Sequence, residues 1–279
     1  MKKILLFIFA LNQIIIAYSQ PDTIRYIFIG HCYQEKTDGS KVDYRLEKMD
    51  FSPYAGIWLG GDVCSEASLK YSTLQYIDRL FDLSNPLTFW ALGNHDTRNG
   101  NLDWIQQFTR RPSFFANYYK GITEIVLNTN ILPNNCFLLD KQFEMIKNVC
   151  DTIQKSSHLI LLMHHGIWNN VPGIPPNPAN YAHSSLLYWN ANCYDVNSNF
   201  VNAVYPLLVK VQKRGIQVIC VMGDVGATAK KFDYLSDDGI HFLGCGLYHN
   251  SPDDYVLIFS HIPSQRKLIW KFVLLNSLL

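Results

Sequence analysis

Four short polar clusters carry residue types that bind metals or move protons: Gly61-Asp62, Gly93-Asn94-His95-Asp96, His164-His165 and Gly223-Asp224. Each follows directly on a run of apolar residues. In open α/β sheets the side chains just past the carboxyl ends of strands converge on the ligand, so residues in these places meet although they are far apart in the chain. Asp62 supplies a carboxylate able to bridge two cations, Asn94 a neutral amide oxygen, His164 an imidazole and Asp224 a second carboxylate. Such a mixed nitrogen and oxygen set suits Zn²⁺, Mn²⁺ or Fe²⁺ and not a thiolate-loving metal. His95 lies beside the Asn94 ligand and is followed by Asp96, the order expected of an acid/base imidazole oriented by a carboxylate. A Gly-Asp pair alone is a common turn. Gly-Asn-His-Asp arises by chance in only about two or three chains per thousand of this length, and its position between a predicted strand and helix argues against coincidence.

The elements that must position these residues are legible as apolar runs. Segments 24–29, 56–59, 87–92, 159–163 and 218–222 are continuous stretches without alternation, the pattern of strands buried on both faces. Between them, 66–83 sets Leu69, Thr73, Leu74, Ile77, Leu80 and Phe81 on one helical face, and 142–153 and 200–213 behave alike. Strand and helix alternation predicts an α/β domain with a largely parallel core sheet. From residue 240 onward, shorter strands at 240–243, 255–259 and 268–274 predict a second, more antiparallel sheet. The segment 166–199 breaks the rhythm, with Pro172, Pro175, Pro176 and Pro178 among Trp168, Tyr181, Tyr188, Trp189 and Tyr194. Following directly on His164-His165, it reads as a wall or lid over the site, or as a packed surface loop.

With these motifs in place, the chain from His31 to Gly226 resembles the calcineurin-like metallophosphoesterases, whose pattern runs D-x-H, G-D, G-N-H-[DE], H, then G-H-x-H. The resemblance implies a four-layer α/β/β/α sandwich and a two-metal centre whose bridging hydroxide attacks a phosphoester in line. Gly61-Asp62, Gly93-Asn94-His95-Asp96 and His164 match the middle motifs. The end motifs depart: His31-Cys32-Tyr33 stands for D-x-H, and Gly223-Asp224-Val225-Gly226 for G-H-x-H. Carried over residue by residue, one ion has Asp62, Asn94, His164 and Asp224. The other has His31, Tyr33 and Asp62, with a ligand lost at Gly226. Tyr33 could serve Fe³⁺ as a phenolate, and His241 or His249 could replace the lost ligand. The expectation is therefore one divalent ion (Zn, Mn or Fe) rather than two. His95 then protonates the leaving group with Asp96 behind it, and Arg98, His165 and Trp168 contact the substrate. A contrasting reading is a weakly active or inactive member that binds a phosphorylated or glycan ligand.

The remaining features bound the setting. Lys2 and Lys3 precede an apolar stretch at 4–16 and then Ala17-Tyr18-Ser19, which reads as a signal peptide over 1–19 with cleavage near Gln20. The stretch is short for a bilayer span, so no membrane anchor is expected after cleavage. That places the mature chain, one domain over 20–279, in the periplasm or outside the cell. No N-x-[ST] sequon occurs, as fits a bacterial exported protein. Removing Lys2 and Lys3 leaves 22 basic against 23 acidic side chains, so no field of one sign exists to gather nucleic acid. All seven cysteines lie in the mature chain without a C-x-x-C pair, which excludes a zinc ribbon. The expected partner is a substrate bearing a phosphoester; oligomeric state is left open.

Overall fold

The computed structural model describes residues 22–132, 134–175, 199–225 and 229–279. The expected signal peptide, most of segment 166–199 and Gly226 lie outside the described residues. The apolar runs form strands. β1 (Ile24–Ile29) and β2 (Gly56–Leu59) pair in parallel with Ile27 opposite Ile57, and β3 (Phe89–Trp90) follows on β2. β10 (Tyr255–Ile262) returns antiparallel along the other side of β1 and carries β11 (Lys267–Leu274) outside it. The second sheet has a parallel core of β5 (Ile122–Val126), β6 (His158–Met163), β7 (Gln217–Met222) and β9 (His241–Cys245). β4 (Phe115–Tyr119) and β8 (Lys231–Leu235) flank that core antiparallel at its two edges. The orders are β11-β10-β1-β2-β3 and β4-β5-β6-β7-β9-β8. The expected division at residue 240 is corrected: β9 joins the second sheet beside β7, whereas β10 and β11 complete the first.

Helices cover the outer faces. Leu74, Ile77 and Phe81 of α1 (Tyr71–Phe81), with Ile105, pack on the first sheet. Ile105 belongs to α3 (Leu102–Thr109), which follows the single turn α2 (Asn94–Thr97). Leu139, Ile146 and Cys150 of α4 (Cys136–Thr152), and Leu208 and Val211 of α5 (Tyr205–Lys213), cover the second sheet. α4 starts earlier than its apolar period suggests because Asn135 caps it, its side-chain oxygen accepting the Leu138 N–H. The inner faces meet through Phe28, Trp58, Phe89, Ile160, Leu162, Val221 and Phe259. The result is the four-layer α/β/β/α sandwich. Among the described residues, no helix is long and apolar enough to cross a membrane.

The two sheets touch where β2 and β7 end. A Cβ on Gly223 would lie 2.0 Å from the Gly60 carbonyl oxygen, so only a residue without a side chain permits this approach. Asp62 and Asp224, one from each sheet, are thereby brought to the same end of the sandwich.

Glu124 of β5 is fully buried; one carboxylate oxygen accepts from Asn117 Nδ2 at 3.1 Å and the other has no partner. Burial pushes its carboxyl up to about 8, so it folds as the neutral acid. A raised carboxyl stabilises fully below the ordinary value of 4.5 and loses that contribution as pH climbs towards 8. Glu124→Gln should therefore leave thermal stability nearly unchanged at pH 4.5 and raise it by a few kcal/mol, on the order of magnitude, at pH 8.5. Equal melting shifts at both pH values would contradict a neutral Glu124.

Candidate metal centre

Asp62 and His31, just past β2 and β1, both hold left-handed backbone, at φ 51 and φ 50. For residues other than glycine this costs roughly 1 kcal/mol and persists only where the surroundings fix it. What fixes Asp62 is the carboxylate of Asp96, itself fully buried. Asp96 Oδ2 accepts the backbone N–H of Asp62 (2.8 Å), that of Gly93 (2.8 Å) and the Trp90 indole N–H (3.0 Å). Its Oδ1 accepts the Val63 N–H at 2.8 Å. In return, Asp62 Oδ1 accepts the His95 N–H at 3.0 Å. A Cβ on Gly93 would fall 2.1 Å from that oxygen, so the turn must pass Asp62 as glycine. Burial and the charge of Asp62 push the Asp96 carboxyl up to about 7 against the pull of the Gly93 and Val63 N–H groups.

The other oxygen of Asp62 faces two imidazoles. His164, fully buried at the end of β6, has Nδ1 2.7 Å from the Gly60 carbonyl, which can only accept. In the neutral ring Nδ1 therefore carries the hydrogen, and Nε2 faces Asp62 Oδ2 at 3.4 Å, open to a proton or a cation. His31 is set the same way, with Nδ1 3.1 Å from the Leu247 carbonyl and Nε2 3.8 Å from Asp62 Oδ2. His164 Nε2 and Asp224 Oδ2 are both buried and make no hydrogen bond. Burial opposes charge on His164, yet Asp62 and Asp224 outweigh it and push the imidazole up to about 10. Burial likewise opposes the Asp62 carboxylate, but His164, His31 and His95 hold it well below its ordinary range. The pocket calls for positive charge among Asp62, His164 and Asp224, whether a proton or a cation. Its donors, imidazole nitrogen and carboxylate oxygen with bare lone pairs, fit a divalent transition metal.

Around this centre the expected roles are redistributed. His165 contacts Asn94, its Nε2 3.1 Å from the amide oxygen, while Thr129 Oγ1 lies 2.8 Å from its Nδ1. It orients Asn94 from a buried position, and it also offers a nitrogen within 4.8 Å of the ligand atoms of His164 and Asp224. The expected pairing of His95 with Asp96 is corrected: successive residues of a helical turn do not face each other, and Asp96 is committed to the turns beneath. His95 Nδ1 lies 3.0 Å from both Arg98 Nη2 and the Ser65 carbonyl. The Ser65 carbonyl can only accept, so in the neutral ring Nδ1 carries the hydrogen towards it, and Arg98 stands beside it as a neighbouring charge. Burial, seconded by the Arg98 and His31 charges, holds His95 below its ordinary value despite Asp62, so the ring is neutral near pH 7. Tyr33 stacks between His31 (4.7 Å) and His95 (4.9 Å). Burial and the Asp62 carboxylate push its phenol up, so a phenolate has to be drawn out against that field.

Two further expectations are corrected by position. Trp168 is fully buried and packs on Phe232 and Phe242, which leaves its ring no face for a substrate; residues 176–198 of the expected wall lie outside the described residues. His241 opens β9, away from the strand ends that carry the centre, and lies against Trp270 at 4.6 Å. His249 stands at the rim, paired with Glu35 at 3.0 Å. Gly226, where a ligand is lost, lies outside the described residues. Sequence reasoning missed Trp90, Thr129 and the Leu247 carbonyl. Trp90 had one signal, a polar N–H inside an apolar run that requires a buried partner.

Neither a protein-family model nor a curated protein matches the sequence. Among solved structures, the chain is similar to a dimetal phosphatase from Danio rerio, with a TM-score of 0.52 at 9% identity over 85% of this chain and 95% of that one. At this identity the likeness is one of fold, and it agrees with the four-layer sandwich expected of metallophosphoesterases.

If Asp96 is the clamp that sets Asp62, Asp96→Asn should weaken divalent-metal affinity by about 10- to 100-fold, the usual worth of a group that orients a ligand. Calorimetric titration of Mn²⁺ or Zn²⁺ measures this. An unchanged affinity would show that Asp62 is fixed by other means.

Proposed function

We propose that the protein is an exported, metal-dependent phosphoesterase that hydrolyses a phosphomonoester or phosphodiester. The observation that carries this reading is a buried cluster: ligand atoms of His164, His165 and Asp224 lie within 4.8 Å of one another, His164 Nε2 and Asp224 Oδ2 make no hydrogen bond, and Asp62 Oδ2 stands 3.4 Å from His164 Nε2. The similarity in fold to a dimetal phosphatase supports the same class of chemistry. Asp62, Asn94, His164 and Asp224 would hold one ion, and His31 faces the same Asp62 oxygen as His164, at 3.8 Å. When bound, such an ion supplies a water acidic enough to attack near neutral pH and neutralises the phosphoryl oxygens. His95, held by Ser65 and Arg98 at Nδ1 and by Tyr33 across the ring face, would act on the departing oxygen in its protonated, imidazolium form. His165 keeps the Asn94 amide oriented. The partner is a phosphoester-bearing substrate; the near-neutral composition gives no support for nucleic acid.

Export rests on the basic, apolar and small-residue pattern of the first nineteen residues, and Cys136 is disulfide-bonded, a state favoured outside the cytoplasm. The native protein should begin near Gln20 by intact mass; retention of Met1 would contradict export. His95→Ala should keep metal content while lowering turnover of an alkyl phosphoester by about 10²–10⁴-fold. The loss should shrink for esters with acidic leaving groups, which scarcely need the proton. If the metal-loaded wild type binds phosphoesters yet hydrolyses none across mono- and diesters, the inactive, ligand-binding reading replaces this one.

A further inference from the structure

The charge balance of the centre separates two classes of phosphoester. On the reading above, a single divalent cation would face the carboxylates of Asp62 and Asp224, while Asn94 and His164 would be neutral ligands. The loaded centre therefore has no excess positive charge. The side on which a second cation would lie is packed with rings, Tyr33 between His31 and His95. Beyond them the rim carries Glu35, Lys36 and His249. Glu35, with 31% of its side chain exposed, bonds to His249 Nδ1 at 3.0 Å in a recess shared with Tyr33 and Tyr248. The carboxylates of Asp62, Glu35 and Asp224 all bear on the Tyr33 hydroxyl. Lys36 borders the same recess but is exposed, where solvent and salt screen it. Arg98, on the opposite side, is engaged with His95 and Ser65.

A phosphodiester carries one negative charge at neutral pH, whereas a monoester carries two above about pH 6. The second charge gains nothing from a neutral centre and meets the Glu35 carboxylate on the Tyr33 side of the rim. We infer that the site takes phosphodiesters in preference to phosphomonoesters, with Glu35 as the charge that turns the dianion away. The inference rests on the phosphoesterase reading and on one bound ion.

Two probes differ by this charge and one methyl group: phenylphosphonate, a dianion at pH 8.5, and its monomethyl ester, a monoanion whose methoxide is a poor leaving group. Calorimetric titration of both into the full, Mn²⁺-loaded protein, with metal content measured on the same sample, should show the methyl ester bound about tenfold more tightly. Glu35→Gln keeps the size of the side chain and an oxygen for His249. It should reduce the ratio about threefold by tightening phenylphosphonate alone, with the melting temperature unchanged. Equal or tighter binding of the dianion, or two ions per chain, overturns the inference while leaving the phosphoesterase reading in place. An unchanged ratio in Glu35→Gln overturns the assignment to Glu35. Failure of both probes to bind at millimolar concentration overturns the phosphoesterase reading, and the inference with it.

Discussion

One buried carboxylate holds the functional end of this molecule together. Asp96 gathers the N–H groups of Asp62, Val63, Gly93 and the Trp90 indole, and Asp62 answers by accepting the N–H of His95. The turn after β2 and the turn after β3 are thus locked to each other through side chains. The lock leaves one oxygen of Asp62 directed at His31 and His164. It also holds Asp62 in a backbone conformation that an isolated chain would avoid. Charged hydrogen bonds of this kind, shielded from water, are strong individually and rigid collectively. Asp96 serves the centre from beneath, and His95, the proposed acid, is held by Ser65, Arg98 and Tyr33.

The second constraint is the contact between the sheets. β2 and β7 belong to different sheets, and their last residues meet because Gly60 and Gly223 carry no side chains. That contact sets Asp62 and His164 side by side and brings Asp224 to the same end. The imidazoles are aimed by carbonyls at the far ring nitrogen, Gly60 for His164 and Leu247 for His31. Backbone geometry fixed by the fold therefore decides which nitrogen is free to bind. Positive charge then completes the centre.

The strand ends that carry Asp62, Asn94, His164 and Asp224 were legible because each follows an apolar run of the kind that strands buried on both faces have. The fold class followed from the same runs, with β1 and β2 matching theirs residue for residue. Contacts across the chain left no such trace. That Asp96 neighbours His95 says nothing about where either side chain points, and Asp96 turned under the loops. Trp168 looked like a ligand wall by its place after His165, but its burial is set by Phe232 and Phe242, remote in sequence. β4, β5 and β8 were overlooked for a related reason. β4 alternates half-buried and exposed residues, and β5 contains Thr123 and Glu124 at fully enclosed positions. Their surroundings come from other strands.

The central claim is that Asp62, Asn94, His164 and Asp224 form one cation site. A crystal grown with Zn²⁺ and measured at the zinc absorption edge tests it most directly. The account predicts a single strong anomalous peak with ligand atoms of these four residues about 2.0–2.2 Å away. A peak bound by other side chains, or its absence from an otherwise intact protein, would contradict it.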